Sequence, residues 1–314
     1  MTAAGSGDSD ARLLVLRGGA LGDFVLFLPV LQSLREEFPD AHITLAGYGP
    51  ARSLGAASGY VDATLTLDDP MFARLFSFRP EWSGSDRAHW KQWPLVINYL
   101  FDPEGSVHAN LEGEGIVRVL SGDPMVKEKH AIDHFLAALQ PLAIFSEDYA
   151  ATLPLPETVQ SAGARHLAAE EGGVVLLHPG SGAPRKNWPI EHFVAIAERL
   201  AATDGLSPVW VLGEVEREHV RVDALPGTVL PSLPVDELAG VAAQAAAWIG
   251  NDSGATHVAA AVGCRTVALF GPTDPAIWAP RGEHVRVVQA PAPEMVSLTL
   301  EQVWPVVEEA VRGA

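Results

Sequence analysis

The segment from Ala247 to Gly271, AWIGNDSGATHVAAAVGCRTVALFG, constrains the fold more than any other part of the chain. It reads as a buried strand ending at Gly250, an abrupt polar turn, a short helix from Ser253 to Val262 and a second apolar strand from Thr266 to Phe270. Strand, helix and strand in direct succession form a βαβ unit, which puts the polar turn at the carboxyl end of a parallel sheet. Asp252 stands where an N-cap is expected, with a carboxylate able to accept from first-turn N–H groups. Ser253 offers a hydroxyl, and Gly254 has no side chain to keep a ligand off the backbone. Free N–H groups and the positive end of the helix dipole make such a start an anion site. An ordinary capped crossover helix fits the same residues.

The same rhythm runs through the whole chain. Arg12 to Arg17 is a short apolar strand, followed by the turn Gly18-Gly19-Ala20-Leu21-Gly22-Asp23 and a helical pattern through Phe38 that Pro29 is expected to kink. Strands at Ala41 to Gly47, Ala63 to Leu67 and Leu95 to Leu100 follow, with helices at Pro50 to Ser58 and Ile132 to Leu142. Ser146 to Pro156, acidic and proline-bearing, reads as a linker. Beyond it come strands at Val174 to His178, Pro208 to Leu212, near Val229 and near Val285, with helices at Ile190 to Ala202, Val235 to Ala246 and Leu298 to Arg312. The expectation is an α/β protein of two Rossmann-like domains with mainly parallel sheets, facing across a ligand cleft. Residues 1–10 are read as a disordered tail, 11–150 as the first domain and 151–314 as the second, with the last helix free to pack back on the first.

Charge narrows the partners. Lys plus Arg is 21 against 39 Asp plus Glu, a net charge of −18, which repels nucleic acid and allows at most peripheral contact with an anionic membrane. The single cysteine, Cys264, excludes an internal disulfide framework. The small, acidic opening stretch is unlike a signal peptide, and the longest apolar run, Phe24 to Leu31, is too short to span a bilayer. The expected compartment is the cytoplasm.

Several residues carry candidate chemistry. In His178 to Pro189, HPGSGAPRKNWP, glycines at 180 and 182 permit close backbone approach after a strand and Lys186 supplies a point charge, which is how a phosphate is commonly held. Glu214, just beyond a strand, suits the hydroxyls of a ribose or a following helical turn. His257, one turn into the helix, suits a phosphate contact or simple packing. Asp23 suits a helix cap or a base facing the cleft. Phe72 to Trp93 mixes aromatics with Arg79, His89 and Lys91, a combination able to grip a sugar, a phosphate or a membrane interface, or simply to pack under a long loop. The sequence has neither G-x-G-x-x-G nor a P-loop, and no His/Cys cluster with metal-ligand spacing.

Three segments in order, RGGALGDFVLFLPVLQSLREEFPDAHIT, LLHPGSGAPRKNWPIEHF and GNDSGATHVAAAVGCRTVALFGPTDPAIW, resemble the glycosyltransferase family 9 heptosyltransferases, the ADP-heptose:lipopolysaccharide enzymes. The resemblance implies a GT-B architecture and an inverting, metal-independent sugar transfer without a cofactor. The donor would be a nucleoside-diphosphate sugar, ADP-heptose in the family, and the acceptor a glycan, a lipid-linked sugar or a small molecule. Carried over by residue, Asp23 matches the general base and Lys186 the residue neutralising the pyrophosphate. Gly22, Ser181, Gly182, Glu214, Asp252, Ser253, Gly254 and His257 fall in the donor site. The resemblance does not reach Phe72 to Ala131, where Arg79, His89 and Lys91 are the acceptor candidates. A nucleotide-sugar epimerase of the same architecture and a non-catalytic sugar-nucleotide scaffold are the alternatives.

Overall fold

The computed structural model describes residues 11–113, 115, 118–145 and 149–312. The expected tail, residues 1–10, and the start of the expected linker, Ser146 to Asp148, lie outside the described residues.

The chain forms two parallel sheets. The first contains β1 (Arg12–Arg17), β2 (His42–Gly47), β3 (Ala63–Thr66), β4 (Leu95–Tyr99) and β5 (Arg118–Ser121) in the order β3-β2-β1-β4-β5. The second contains β6 (Gly173–His178), β7 (Leu206–Trp210), β8 (Thr228–Val229), β9 (Ala247–Asn251), β10 (Thr266–Phe270) and β11 (Val285–Gln289) in the order β11-β10-β9-β6-β7-β8. The central strands read as unbroken apolar runs because helices cover both faces. Strand order reverses between β1 and β4 in one sheet and between β6 and β9 in the other. At such a reversal the loops leaving the two strands diverge to opposite faces and open a crevice.

The structure refines several expectations. Pro29 does not kink one long helix; it lies in the first turn of a separate helix, Leu28–Glu37, after a short one, Leu21–Val25. In that first turn the missing N–H costs no intrahelical hydrogen bond. The strand expected over Pro208 to Leu212 is Leu206–Trp210, with Val211 and Leu212 already in the loop. β5 and the helices Ser106–Gly113 and Glu157–His166 are additional to the elements read from the sequence. The final helix, Leu300–Val311, packs in the core of the second sheet through Val303, Val307 and Val311.

Two further contacts set the scaffold. The helix Glu157–His166 meets the helix Val235–Gln244 backbone to backbone, since a Cβ on Gly163 would lie 2.0 Å from the carbonyl carbon of Gly240. The core of the first sheet also takes in Ala239, Val258 and Ala261 from the second half, so apolar packing crosses the domain boundary. Polar links reinforce it: Arg281 donates to both carboxylate oxygens of Asp133 at 2.7 and 2.6 Å, and the His130 ring meets the Ala279 carbonyl at 2.9 Å.

Candidate active site

Both crevices open on the same place. Lys186 leaves β6 on a short 3-10 turn, Pro184–Lys186, and its Nζ donates to Asp252 Oδ2 at 2.7 Å. Asp252 follows β9, and Thr273, following β10, donates its hydroxyl to the same oxygen at 2.5 Å. His257 Nε2 stands 3.7 Å from the other carboxylate oxygen, an ion-pair distance too long for a hydrogen bond. Burial raises the Asp252 carboxyl pKa, but its contacts with His257, Lys186 and Thr273 outweigh burial and hold it far below the usual range.

Asp252 is therefore not the cap. Ser253 is: its Oγ accepts from the Thr256 N–H at 3.2 Å at the start of the helix Gly254–Ala261. The helix is fixed from beneath as well, because Thr256 Oγ1 donates to the Asn251 carbonyl at 2.6 Å and receives Trp248 Nε1 at 3.1 Å. Asn251, fully buried, ties this turn to the lysine loop; its side chain accepts from the Trp188 N–H at 3.1 Å and donates to the Pro179 carbonyl at 2.7 Å. A lost amide here would strand buried backbone groups on two loops at once.

The first domain reaches this point through the Gly18–Asp23 turn. Leu21 packs on the bare backbone of Gly254: a Cβ there would lie 2.9 Å from the leucine side chain. Gly22 faces the His257 ring in the same way, with a Cβ-to-ring distance of 3.1 Å. Asp23 is half-buried in the first turn of Leu21–Val25, whose N-cap position is Ala20, so the cap reading of Asp23 does not hold. Its carboxylate and the Arg17 guanidinium flank Gly19, where a Cβ would lie 3.4 Å from Asp23 Oδ2 and 3.7 Å from Arg17 Nη1. Arg17 itself is 1% exposed, stacked 5.3 Å from the Phe27 ring and 4.5 Å from Phe135, with Nε and Nη2 unpartnered. Burial lowers its pKa, opposed by the charge of Asp23 and by Tyr99.

Other candidates lie differently. The Ser181 hydroxyl lies 2.8 Å from the Ala183 carbonyl and 2.5 Å from Asn187 Oδ1, within its own loop, while Gly182 faces open space. Glu214 is exposed at the start of the helix Glu214–His219. Two residues further along, Glu216 turns inward: its carboxylate lies where a Cβ on Gly180 would be 2.1 Å from Oε1 and one on Gly213 2.6 Å from Oε2. His89 and Lys91 sit at the end of the helix Gly84–Lys91, at the amino end of β4, where Arg12 lies 5.1 Å over Trp93. That is the opposite end of the sheet from Asp23, roughly 16 Å away along β1 at ~3.3 Å per residue. Arg79 is exposed beside Phe78. Phe72, Trp90 and Trp93 are core residues, which is the packing alternative for this stretch, whereas Phe76 and Phe78 are exposed. Asn251, Thr273, Glu216 and Arg17 went unread because nothing in their local sequence distinguishes them from cap, turn and strand residues. Among the described residues, no group of three or more His, Cys, Asp or Glu side chains is placed to hold a metal ion.

The family model described as glycosyltransferase family 9 (heptosyltransferase) matches residues 122–304, more than half of the chain. The chain belongs to glycosyltransferase family 9. Lipopolysaccharide heptosyltransferase 1 from Escherichia coli is 30% identical over 153 residues, and the chain spans about half of that relative's length, 47%. Lipopolysaccharide heptosyltransferase 3 from Escherichia coli is 23% identical over 289 residues, 84% of this chain and 83% of that one. Among solved structures, a glycosyl transferase family 9 protein from Veillonella parvula superimposes with a TM-score of 0.79 at 20% identity, covering 99% of this chain and all of that one. Heptosyltransferase WaaC from Escherichia coli, solved with ADP, gives a TM-score of 0.71 at 18% identity over 95% of this chain and 99% of its own. The family 9 fold is thus the two-domain GT-B arrangement expected from the sequence.

Proposed function

We propose that this family 9 member transfers a sugar, a heptose, from an ADP-linked donor to an acceptor hydroxyl, in one displacement with inversion. The acceptor oxygen attacks the anomeric carbon from the face opposite the nucleotide and its proton passes to Asp23. The bond from that carbon to the diphosphate oxygen breaks, and the electron pair leaves with the diphosphate. Lys186 and the helix start at Ser253 meet the growing negative charge, without a metal ion in the step. Glu216, in place of Glu214, receives the ribose hydroxyls, because its carboxylate lies against the glycines of the donor loop. The helix Gly254–Ala261 opens here, and N–H groups at a helix start favour an anion.

The observation that carries this reading is the Lys186–Asp252 pair at 2.7 Å beside Ser253, with Gly22 of the Asp23 turn packed on His257. Base and phosphate-binding charge thus face one crevice. The WaaC complex with ADP supports an adenine nucleotide, and the relatives named for lipopolysaccharide support a glycan or lipid-linked acceptor. No helix among the described residues is long and apolar enough to cross a membrane. The test is incubation of the full chain with ADP-heptose, with and without glycan acceptors, and mass analysis of the products. ADP release coupled to a glycosylated product carries the proposal. Isomerisation of the donor alone favours the epimerase, and binding without any turnover favours the scaffold.

A further inference from the structure

A second cavity, of about 710 Å³, opens outside the carboxyl ends of β4 and β5, and the family model, which begins at residue 122, takes in only the Gly122–Lys127 part of its wall. It adjoins the proposed base: a Cβ on Gly18, in the Asp23 turn, would lie 3.8 Å from Leu100 Cδ2, and Leu100 lines the cavity. Its wall combines a flat apolar surface with carboxylates. Phe101 is 60% exposed and Met125 52% exposed, and both line the cavity. Asp102 and Asp123 stand on either side. Asp102 Oδ2 is pinned by the Val107 and His108 N–H groups at 3.0 and 3.3 Å, and Asp123 Oδ1 by the Met125 N–H at 2.8 Å. Both carboxylates thus stand fixed in the cavity wall.

Charge then selects the occupant. Against the two carboxylates the lining offers a single lysine, Lys127. His108 is engaged on both ring nitrogens, with Ser121 at 3.0 Å and Glu112 at 3.3 Å. A phosphorylated ligand would bring its charge to a wall of like sign, whereas the hydroxyls of an uncharged ring are donors suited to carboxylates. The aliphatic face of the same ring suits the Phe101 surface. We propose that this cavity is the acceptor subsite and that it takes an uncharged sugar ring, laid on Phe101 with hydroxyls donated to Asp102 and Asp123. The inference rests on the glycosyltransferase reading and names its acceptor class.

The test is saturation-transfer NMR and titration of the full chain with methyl α-D-mannopyranoside and with mannose 6-phosphate, each with and without ADP. Transfer to the neutral glycoside is expected to exceed that to the phosphate, with Phe101→Ala and Asp123→Asn each weakening glycoside binding by about tenfold. Asp123→Lys should reverse the preference. Tighter binding of the phosphate, absence of glycoside binding, or glycoside binding indifferent to Phe101→Ala overturns the inference. Calorimetry with ADP on the same samples separates the two readings. Absence of ADP binding overturns the donor assignment, while the titrations without ADP still decide the cavity.

Discussion

Lys186 and Asp252, 66 residues apart, neutralise each other at 2.7 Å across the point where the second sheet reverses its strand order. In the proposed function the lysine therefore meets the donor already oriented, and an arriving diphosphate would share its charge with a fixed carboxylate. Lys186→Ala is expected to weaken ADP binding by about tenfold to a hundredfold, the worth of one charge-assisted contact. Isothermal calorimetry measures it. An affinity equal to the parent's removes Lys186 from the site.

The same pair carries an acid signature. The Asp252 carboxyl titrates far below its ordinary value of 3.8 in the folded chain, so it contributes stability above that pH and loses it as pH falls through the folded value. Lys186→Ala removes one of the contacts that lower it. Urea denaturation at pH 7 should show a loss of about 1–3 kcal/mol for the variant.

Asp23→Asn keeps the shape of the Gly18–Asp23 turn and removes the proposed proton acceptor. Turnover of ADP-heptose with an acceptor should fall by about a thousandfold or more, while the Kd for ADP changes by less than about threefold. Parent-like turnover would leave the base elsewhere.

Three histidines make the fold sensitive to mild acid. Burial lowers the pKa of His178, against opposing effects of its hydrogen bond to Val211 and of Glu216, and burial likewise lowers His130 and His89. Below the ordinary value of 6.5 the unfolded chain binds protons that the folded chain refuses, so stability drops as pH falls through that value. Tm should be lower at pH 5.5 than at pH 7.5 by thermal denaturation. In His178→Gln the drop should be smaller.

Gly163 tests the scaffold. A methyl group there meets the Gly240 backbone at 2.0 Å, and backbone cannot rotate away. Gly163→Ala should cost about 1–3 kcal/mol in chemical denaturation. A stability equal to the parent's would mean that the two helices are held apart.

Much of the fold is legible locally. The strand at Arg12–Arg17 and the β9–helix–β10 unit follow from apolar runs cut by glycine turns, because side-chain periodicity and turn chemistry act within a few residues. β5, at Arg118–Ser121, is harder to read because its burial is partial and it lies at a sheet edge. The mixed aromatic and basic stretch divides only in three dimensions, into core residues such as Trp90 and exposed ones such as Phe78.

The sequence by itself determined the two α/β halves, the glycine turn before Asp23, the lysine loop and the polar helix start, since each is written in neighbouring residues. Tertiary structure alone decided what those residues do for one another. It made Ser253 the cap and freed Asp252 to hold Lys186, gave the bare backbone of Gly254 to Leu21, turned Glu216 and not Glu214 inward, and left His89 and Lys91 at the far end of the sheet. The reason is physical: hydrogen bonds and ion pairs act over about 3 Å, and only chain reversals bring residues tens to hundreds of positions apart within that range.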